Sequence, residues 1–199
     1  MTIALPNSPA PSEPSTPLLR QFGGVLTPFL GGPEQLINRL GTRFGIRLVM
    51  PPMVASTDGR IFVARLVQAK SDRLLMRWPL DGFEPGNPGA PKVSAAATGS
   101  VLPLKGLTAS YGVKEGQFFS IIHGGRRYLH MFAADGSASV DGTLSALIFP
   151  MLRVVVSADD VVEIAQPMIE GHVQPGEELS WQISLARRIS LSFSVLEAA

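Results

Sequence analysis

The segment SWQISLARRISLSFSVLEAA, residues 180–199, restricts the fold more than any other part of the sequence. Apolar side chains occupy most odd positions from Trp181 to Val195, and serine or another polar or small residue fills most even positions. A period of two is typical of a strand with one buried face. A single strand over this length would extend roughly 55 Å at about 3.3 Å per residue, whereas strands usually hold about five or six residues. The segment therefore predicts two strands, 179–185 and 189–196.

The turn that joins these strands runs through Ala186, Arg187 and Arg188 and contains no glycine. Two-residue hairpin turns need positive φ angles, so we expect instead a loop of three to five residues in the right-handed helical region. Arg187 and Arg188 then lie either in a solvated turn or at a subunit contact. We expect both strands to place their apolar side on a core, with Trp181 and Phe193 as the large fillers.

The N-terminal part of the chain contains helix and strand patterns that are too few to fold alone. Residues 44–50 predict a strand that stops at Pro51-Pro52, and residues 73–79 predict a half-buried strand. Residues 57–72 predict a helix, and residues 33–41 predict a short helix from Pro33 to Gly41. Because a few such elements bury little apolar surface, the C-terminal strands are expected to pair with them.

A second unit begins after residues 79–92, which hold four prolines and three glycines and mark a boundary. Strand patterns then follow at 101–107, 117–123, 126–134, 143–149 and 159–167. Gly124-Gly125 predicts a tight hairpin, since both residues can take positive φ. Five strands in about 70 residues predict a small closed barrel or a sandwich.

These patterns predict a mainly β fold with one α+β domain and one inserted β domain. The α+β domain is expected to comprise residues 21–92 and 171–199, and the inserted small β-barrel domain residues 93–170. Residues 1–20 are expected to form a proline-rich N-terminal arm, because the five prolines between residues 5 and 17 should exclude both helix and sheet there. The arm is either disordered or becomes ordered on a neighbouring subunit.

The composition favours a protein whose surface is partly covered by partner subunits. Charged residues make up 17% of the chain, against about 25% in typical soluble domains. No apolar run approaches the roughly 18 residues of a membrane span. A secretion signal begins with basic residues, and this sequence has none before Arg20. The net charge of +1 gives no reason to expect a polyanion. We therefore expect protein partners, no membrane span and no nucleic-acid readout.

The residues that carry chemistry form no convincing catalytic or metal site. His123 and His130 flank the predicted hairpin and could approach each other, but neither His172 nor another residue supplies a third ligand at useful spacing. The chain has no cysteine and therefore no disulfide or thiolate ligand. No nucleophile elbow, phosphate loop or zinc-protease motif is present. We expect no enzymatic activity, catalytic residue, metal or cofactor.

The paired carboxylates and paired arginines have simpler explanations than catalysis or phosphate binding. Asp159-Asp160 with Glu163, and Glu177-Glu178, are expected in solvated turns. The sequence of residues 124–127, Gly-Gly-Arg-Arg, lacks the following helix that a phosphate site needs, and the neutral charge balance argues against nucleic-acid stacking at Tyr128.

The aromatic residues leave a carbohydrate-binding alternative open. Trp78 and Trp181 lie in alternating strands, so core packing is favoured over stacking on sugar. A sugar-binding face would require the aromatic residues of the predicted hairpin to be exposed together. These residues are Phe118, Phe119, Tyr128 and Phe132.

Seven motifs, in order and spacing over residues 39–198, give the chain a resemblance to a known family. They are RLGTRFGIRLVMPPM (39–53), WPLDGFEPGNPGAPKV (78–93), LPLKGL (102–107), EGQFFSIIHGGRRYLHMF (115–132), IFPMLR (148–153), QPMIEG (166–171) and WQISLARRISLSFSVLEA (181–198). With these motifs the chain resembles the distal tail proteins of long non-contractile-tailed phages, in the form found in phages and gene transfer agents of alphaproteobacteria.

This resemblance implies a β-sandwich-like belt domain with one helix that the C-terminal strands complete. The inserted domain would be an OB-like or galectin-like barrel. It also implies a structural protein of the virion that is assembled in the host cytoplasm. Such a protein forms a ring, typically a hexamer, between the tail tube protein and the tail hub protein, with side fibres as a further candidate partner. The alternative function is a host-surface carbohydrate-binding module of a phage tail.

Overall fold

The computed structural model describes residues 1–12, 14–80, 82–173 and 178–198, and about half of the chain lies in strands. In chain order the elements are β1 (Thr2–Ala4), β2 (Thr16–Arg20), β3 (Gly24–Leu26), β4 (Gln35–Ile37), β5 (Arg43–Val54), α1 (Asp58–Ala69), β6 (Arg73–Arg77), β7 (Gly89–Val93), β8 (Ala97–Leu107), β9 (Gly112–Val113), β10 (Phe118–His123), β11 (Arg126–Phe132), β12 (Gly136–Ser137), β13 (Leu144–Val156), β14 (Val161–Glu163), β15 (Met168–Val173), β16 (Trp181–Ile183) and β17 (Arg188–Glu197). The predicted mainly β fold with one helix and a small barrel is confirmed.

The largest sheet combines strands from both halves of the chain. Its order is β1-β6-β15-β17-β5-β2, and β16 pairs with the first half of β17. The C-terminal stripe therefore forms two antiparallel strands, as predicted. β17 bonds to β5 along one edge and to β16 and β15 along the other, so it is a central strand although it follows every other described strand in the sequence.

β2 lies at the edge of this sheet and contains Pro17, so the prediction that the prolines between residues 5 and 17 exclude a sheet is wrong at Thr16 and Pro17. β1 pairs with β6, and the N–H of Ser12 donates to the carbonyl of Val49 at 3.0 Å. The N-terminal arm is therefore ordered on its own subunit.

β5 continues past the two prolines that were expected to end it. It runs to Val54, and its register with β17 shifts where Pro51 and Pro52 stand opposite one residue, Ser190. The prediction that the strand stops at Pro51-Pro52 is wrong because the prolines lie in a β-bulge. A bulge leaves residues out of the ladder, which suits residues without a backbone N–H.

The longer predicted helix is confirmed and the shorter one is wrong. α1 begins at Asp58, ends at Ala69 and buries Phe62 and Leu66 against the sheet core. The segment 33–41 contains strand β4, which pairs with β3 as a separate two-stranded sheet. The pairing across the hairpin satisfies backbone groups of this segment and overrides its weak helix pattern.

Residues Gly89–Glu163 contain the strands of a closed barrel in the order β10-β11-β13-β8-β7-β14. The predicted hairpin turn is present, with Gly124 at φ 56° and Gly125 at φ 73°. The boundaries at 93 and 170 stay a prediction, since β7 (89–93) belongs to the barrel and β15 (168–173) to the large sheet.

Each of the two units has its own apolar core. The core of the sheet unit lies between the sheet, α1 and the barrel hairpin; Ile46, Phe62, Leu74, Trp78, Phe193 and Val195 are among its buried side chains. The barrel core contains Leu102, Leu104, Phe119, Ile121, Phe132 and Leu152. Leu129 of β11 belongs to the sheet core, so one barrel strand contributes to both cores.

The two units meet at two buried glutamates. The backbone N–H groups of Arg127 and Leu129 in β11 donate to Glu170 (3.0 Å) and Glu197 (2.7 Å), which lie on the neighbouring sheet strands β15 and β17. β11 pairs with β13 only at Met131 and Phe132, so these N–H groups have carboxylates in place of a ladder partner. We call Glu170, Glu197 and their donors the carboxylate junction.

Glu197 is the most buried member of the carboxylate junction. Its side chain is fully buried and accepts two hydrogen bonds from Arg153, itself 8% exposed, and one from the N–H of Phe44. Burial raises the pKa of the Glu197 carboxyl above its ordinary value, whereas Arg153 and the backbone donors oppose that rise. The carboxyl therefore holds β5, β11, β13 and β17 together through polar contacts.

An aromatic cluster packs beside the carboxylate junction. The Phe118 ring of β10 lies 4.9 Å from the Trp78 ring and 5.1 Å from the Phe44 ring, measured between centroids. The Phe44 ring also contacts Phe149 of β13 at 6.4 Å. Such tilted and edge-to-face pairs add to area burial, so the barrel is anchored on the sheet by apolar as well as polar contacts.

The first prediction concerns Glu197. The substitution Glu197→Gln leaves the Arg153 guanidinium buried without its counter-charge, and we expect it to lower the free energy of unfolding by about 3 kcal/mol. Urea denaturation measures this change. Glu178→Gln, at an exposed position, is the control and should change stability by less than about 0.5 kcal/mol. Equal stability of the Glu197 variant and the wild type would contradict the assigned role.

The second prediction follows from the position of β17. Removal of residues 180–199 deletes the strand that lies between β15 and β5, so residues 39–80 should lose their protected amides. Barrel amides between Gly89 and Glu163 should stay protected, because the barrel closes without β17. Hydrogen exchange measured by mass spectrometry distinguishes the two segments. Loss of protection in the barrel with retention in residues 39–80 would refute this organisation.

Candidate functional site

The β3–β4 hairpin projects apolar side chains into solvent. Val25, Leu26 and Leu36 are more than half exposed, and Phe29 and Leu30 in its loop are 102% and 92% exposed. Among the described residues, no further strand pairs with this hairpin. A two-stranded sheet is marginal in water by itself, and a cluster of exposed apolar residues marks an interaction site.

The β16 strand is the second exposed apolar element. Ile183 is 66% exposed and the following Leu185 is 106% exposed. Trp181 is 40% exposed, so the prediction that it fills the core is wrong, whereas Phe193 is buried as predicted. β16 pairs with β17 at one edge, and no other described strand pairs with it, so its second edge has no strand partner within the described chain.

These two apolar elements lie at opposite ends of strand β5. The hairpin follows β2, whose last residue Arg20 pairs with Arg43 at the start of β5. β16 pairs with β17 next to Arg188, which pairs with Val54 at the end of β5. The twelve residues of β5 separate the two ends by roughly 36 Å at about 3.3 Å per residue. We call the hairpin and β16 the two apolar ends.

Arg187 and Arg188 lie beside β16. The Arg188 guanidinium donates to the carbonyl of Pro52 (3.3 Å), and the carbonyl of Arg187 accepts from the N–H of Ala55 (2.9 Å). The loop from Ser184 to Arg187 has the expected length. Arg187, however, adopts φ 56°, so the expectation of right-handed helical backbone throughout is wrong at its last residue. The role of these arginines in a subunit contact stays a prediction.

His123 and His130 do not stand opposite each other in the barrel hairpin. In the hairpin register His130 stands opposite Phe119 and His123 opposite Arg126, so the expectation that the two histidines approach each other is wrong. His123 Nδ1 lies 2.7 Å from Asp160 Oδ2, and His172 is exposed. In the described ranges no group of three or more histidine, aspartate or glutamate residues could hold a metal ion.

Most of the acidic residues that drew attention in the sequence have basic partners. Asp159 is paired with Lys105 (2.8 Å) on the surface, in agreement with a solvated turn. Glu163 lies within β14, inside the strand pattern at 159–167, so the separate expectation that it lies in a solvated turn is wrong. The Arg127 guanidinium donates to both of its oxygens at 2.9 and 3.1 Å. Glu178 is exposed and Glu177 lies outside the described residues.

The residues considered for phosphate or sugar binding are engaged in contacts within the protein. Gly124-Gly125 joins two strands, and the Arg127 side chain is committed to Glu163. Phe119, Tyr128 and Phe132 are buried, and Phe118 packs on the sheet core. These four aromatic residues therefore provide no exposed face for a sugar, which removes the support for the carbohydrate-binding alternative.

His130 is the one histidine enclosed in the barrel interior among the described residues. It is 1% exposed, and its ring stacks on Phe119 at 5.9 Å. Nδ1 lies 2.8 Å from the carbonyl oxygen of Pro150, which can only accept, so Nδ1 carries the proton. Burial lowers the pKa of His130 from 6.5 to about 4, the Pro150 hydrogen bond opposes this change, and the charge of Arg153 adds to it.

No protein-family model and no curated protein matches this chain. In the described part of the chain, no helix has the length and hydrophobicity to span a membrane.

The third prediction is a pH dependence of stability. Because the pKa of His130 is lower in the folded chain than in the unfolded chain, its contribution is fully present above pH 6.5 and is lost as the pH falls towards 4. The loss amounts to about 3 kcal/mol. Urea denaturation at pH 7 and pH 4 measures it, and His130→Phe should reduce the difference between the two values. The exposed control His172→Phe should retain the wild-type difference, and equal behaviour of both variants would contradict the assignment.

Proposed function

We propose that this protein is a structural subunit of a phage tail tip, where copies assemble head to tail into a ring that joins the tail tube to the central hub. The observation that carries the proposal is the placement of exposed apolar side chains at opposite ends of β5. A surface that pairs with itself would form a closed two-fold dimer, whereas two different surfaces on one subunit lead to a ring or a filament. The two apolar ends are different surfaces.

The geometry of the apolar ends suits strand addition between neighbouring copies. β16 offers one edge that no described strand occupies, and its exposed residues Trp181 and Ile183 share one face. The hairpin offers Val25 and Leu36 on paired strands. An extended segment that adds to a free sheet edge gains main-chain hydrogen bonds, and side chains provide specificity. The hairpin of one copy is therefore assigned to the β16 end of the next.

The sequence resemblance supports the location and the partners of this ring. The distal tail family combines a belt domain that C-terminal strands complete with an inserted barrel, and the present chain has a large sheet completed by β17 and a closed barrel. On this basis the ring is a hexamer at the virion tail tip, assembled in the host cytoplasm. The tail tube protein and the hub protein contact its two axial faces, and the barrel faces outward towards side fibres. The protein acts as a scaffold and not as an enzyme.

The fourth prediction tests the ring. Ile183→Lys places a charge on the exposed face of β16 and should abolish ring formation, while the monomer keeps its stability within about 0.5 kcal/mol because this side chain is exposed. Native mass spectrometry of the purified chain measures the assembly state. Val140→Lys, at an 80% exposed position of the barrel unit, is the matched control and should leave the ring intact.

The location is tested separately on assembled tails. Cryo-electron microscopy should show the chain as a closed ring at the tail tip, with the hairpin of each copy on β16 of the next. A ring that persists in the Ile183→Lys variant would contradict the assigned interface. A chain found outside any tail-tip ring would contradict the function as a whole.

A further inference from the structure

The base of the β3–β4 hairpin is positively charged. The hairpin base is the end where Gly24 pairs with Ile37, close to where the chain leaves the large sheet and returns to it. Arg20 ends β2, Arg43 begins β5, and Arg39 follows Ile37 by two residues. Among the described residues, none of these three arginines forms an ion pair with an acidic side chain.

Packing holds two of these arginines together despite their like charge. Arg20 and Arg43 stand opposite each other on paired strands, an arrangement that costs free energy. Their guanidinium carbons lie 5.2 and 4.9 Å from the centroid of the Phe22 ring, and Arg43 Nε donates to the carbonyl of Gly41 (3.0 Å). Guanidinium groups held in this way suit a carboxylate, because little side-chain freedom remains to be lost on binding.

The hairpin tip, the loop from Thr27 to Glu34, carries the opposite charge. Glu34 precedes β4, and its carboxylate accepts a hydrogen bond from the Thr27 hydroxyl (3.3 Å) across the loop. Glu34 is exposed and forms no ion pair within the described ranges. In extended chain the five residues from Glu34 to Arg39 span roughly 16 Å at about 3.3 Å per residue. The hairpin is therefore positive at its base and negative at its tip.

The β16 strand also has one acidic and one basic end. Glu178 is exposed three residues before Trp181, and neither it nor Arg187 forms an ion pair in the part of the chain that the structure describes. Arg187 and Arg188 lie at the other end, where the N–H of Ser184 donates to the carbonyl of Arg188 (2.9 Å). The six residues from Glu178 to Ser184 span roughly 20 Å in extended chain. The charges on β16 and on the hairpin are therefore similarly spaced.

We propose that these charges orient the contact between neighbouring copies, with the hairpin base of one copy beside Glu178 of the next and its tip beside Arg187 and Arg188. This inference rests on the ring proposed above and adds the direction in which the hairpin lies along β16. The reverse direction would bring the base arginines against Arg187 and Arg188, and Glu34 against Glu178. Like charges brought together across an interface select against the wrong arrangement, whereas apolar contacts alone permit both directions.

Engineered cysteines test the direction, because the chain has no cysteine of its own. Asn38→Cys places a thiol at the hairpin base, and Ser180→Cys and Ala186→Cys place thiols at the two ends of β16, all at exposed positions. In mixtures with the Asn38→Cys chain under mild oxidation, the Ser180→Cys chain should form a mixed disulfide about tenfold faster than the Ala186→Cys chain. Mass spectrometry of the cross-linked chains measures both rates.

Charge reversal tests the cause of the direction. Arg20→Glu should weaken assembly about tenfold at low ionic strength, and Glu178→Arg in the same chain should restore it. Asp141→Arg, at an exposed position of the barrel unit, is the matched control and should not restore assembly of the Arg20→Glu chain. Native mass spectrometry measures the ring fraction, and urea denaturation checks that each variant remains folded.

The direction is overturned if Ala186→Cys cross-links as fast as Ser180→Cys or faster. It is also overturned if Arg20→Glu strengthens the ring or if Glu178→Arg fails to restore it. These results leave the proposed function standing as long as Ile183→Lys still abolishes the ring. A wild type that forms no ring, or a ring that persists in Ile183→Lys, overturns the proposed interface together with its direction.

Discussion

The hydrogen bonds of Glu197 are the interaction on which the arrangement of the two units depends. A fully buried carboxyl is costly unless donors surround it, and here Arg153 from the barrel, Leu129 from the barrel hairpin and Phe44 from the sheet all donate to it. No apolar contact specifies orientation as narrowly, because apolar packing is non-directional. The carboxylate junction thus fixes how the barrel sits on the sheet, and the aromatic cluster around Phe118 adds the apolar area.

A fixed orientation of the barrel matters for a ring subunit. In a closed ring every copy repeats the same geometry, so a small change in the angle between two units is repeated around the whole ring. The two apolar ends lie on the sheet unit, and the barrel lies on the other side of the junction. In the proposed ring, the buried polar contacts would therefore hold the barrel at one angle to the sheet unit that carries the two apolar ends.

The sequence predicted those elements whose pattern reflects a local physical cause. Alternation over residues 189–195 indicates a buried face, so β17 was predictable. The pair Gly124-Gly125 indicates positive φ, so the β10–β11 hairpin of the barrel was also predictable. Alternation shows which side chains share a face but not whether another element covers that face, which is why Trp181 was placed wrongly. The β3–β4 hairpin was missed because its apolar residues are exposed and carry no burial period. Glu197 falls at the next odd position after the apolar side chains that end at Val195. This position in the alternation indicates a buried carboxyl, and it could have been read from the sequence.

The central place of β17 has a consequence for biosynthesis. A ribosome releases β17 after every other described strand, so the large sheet cannot close until that strand has emerged, whereas all strands of the barrel are available earlier. Until then β5 lacks the neighbour that covers one of its edges. The large sheet is therefore completed only after β17 has been synthesised, later than all strands of the barrel. A chain that stops before β16 lacks one of the two contacts of the proposed ring.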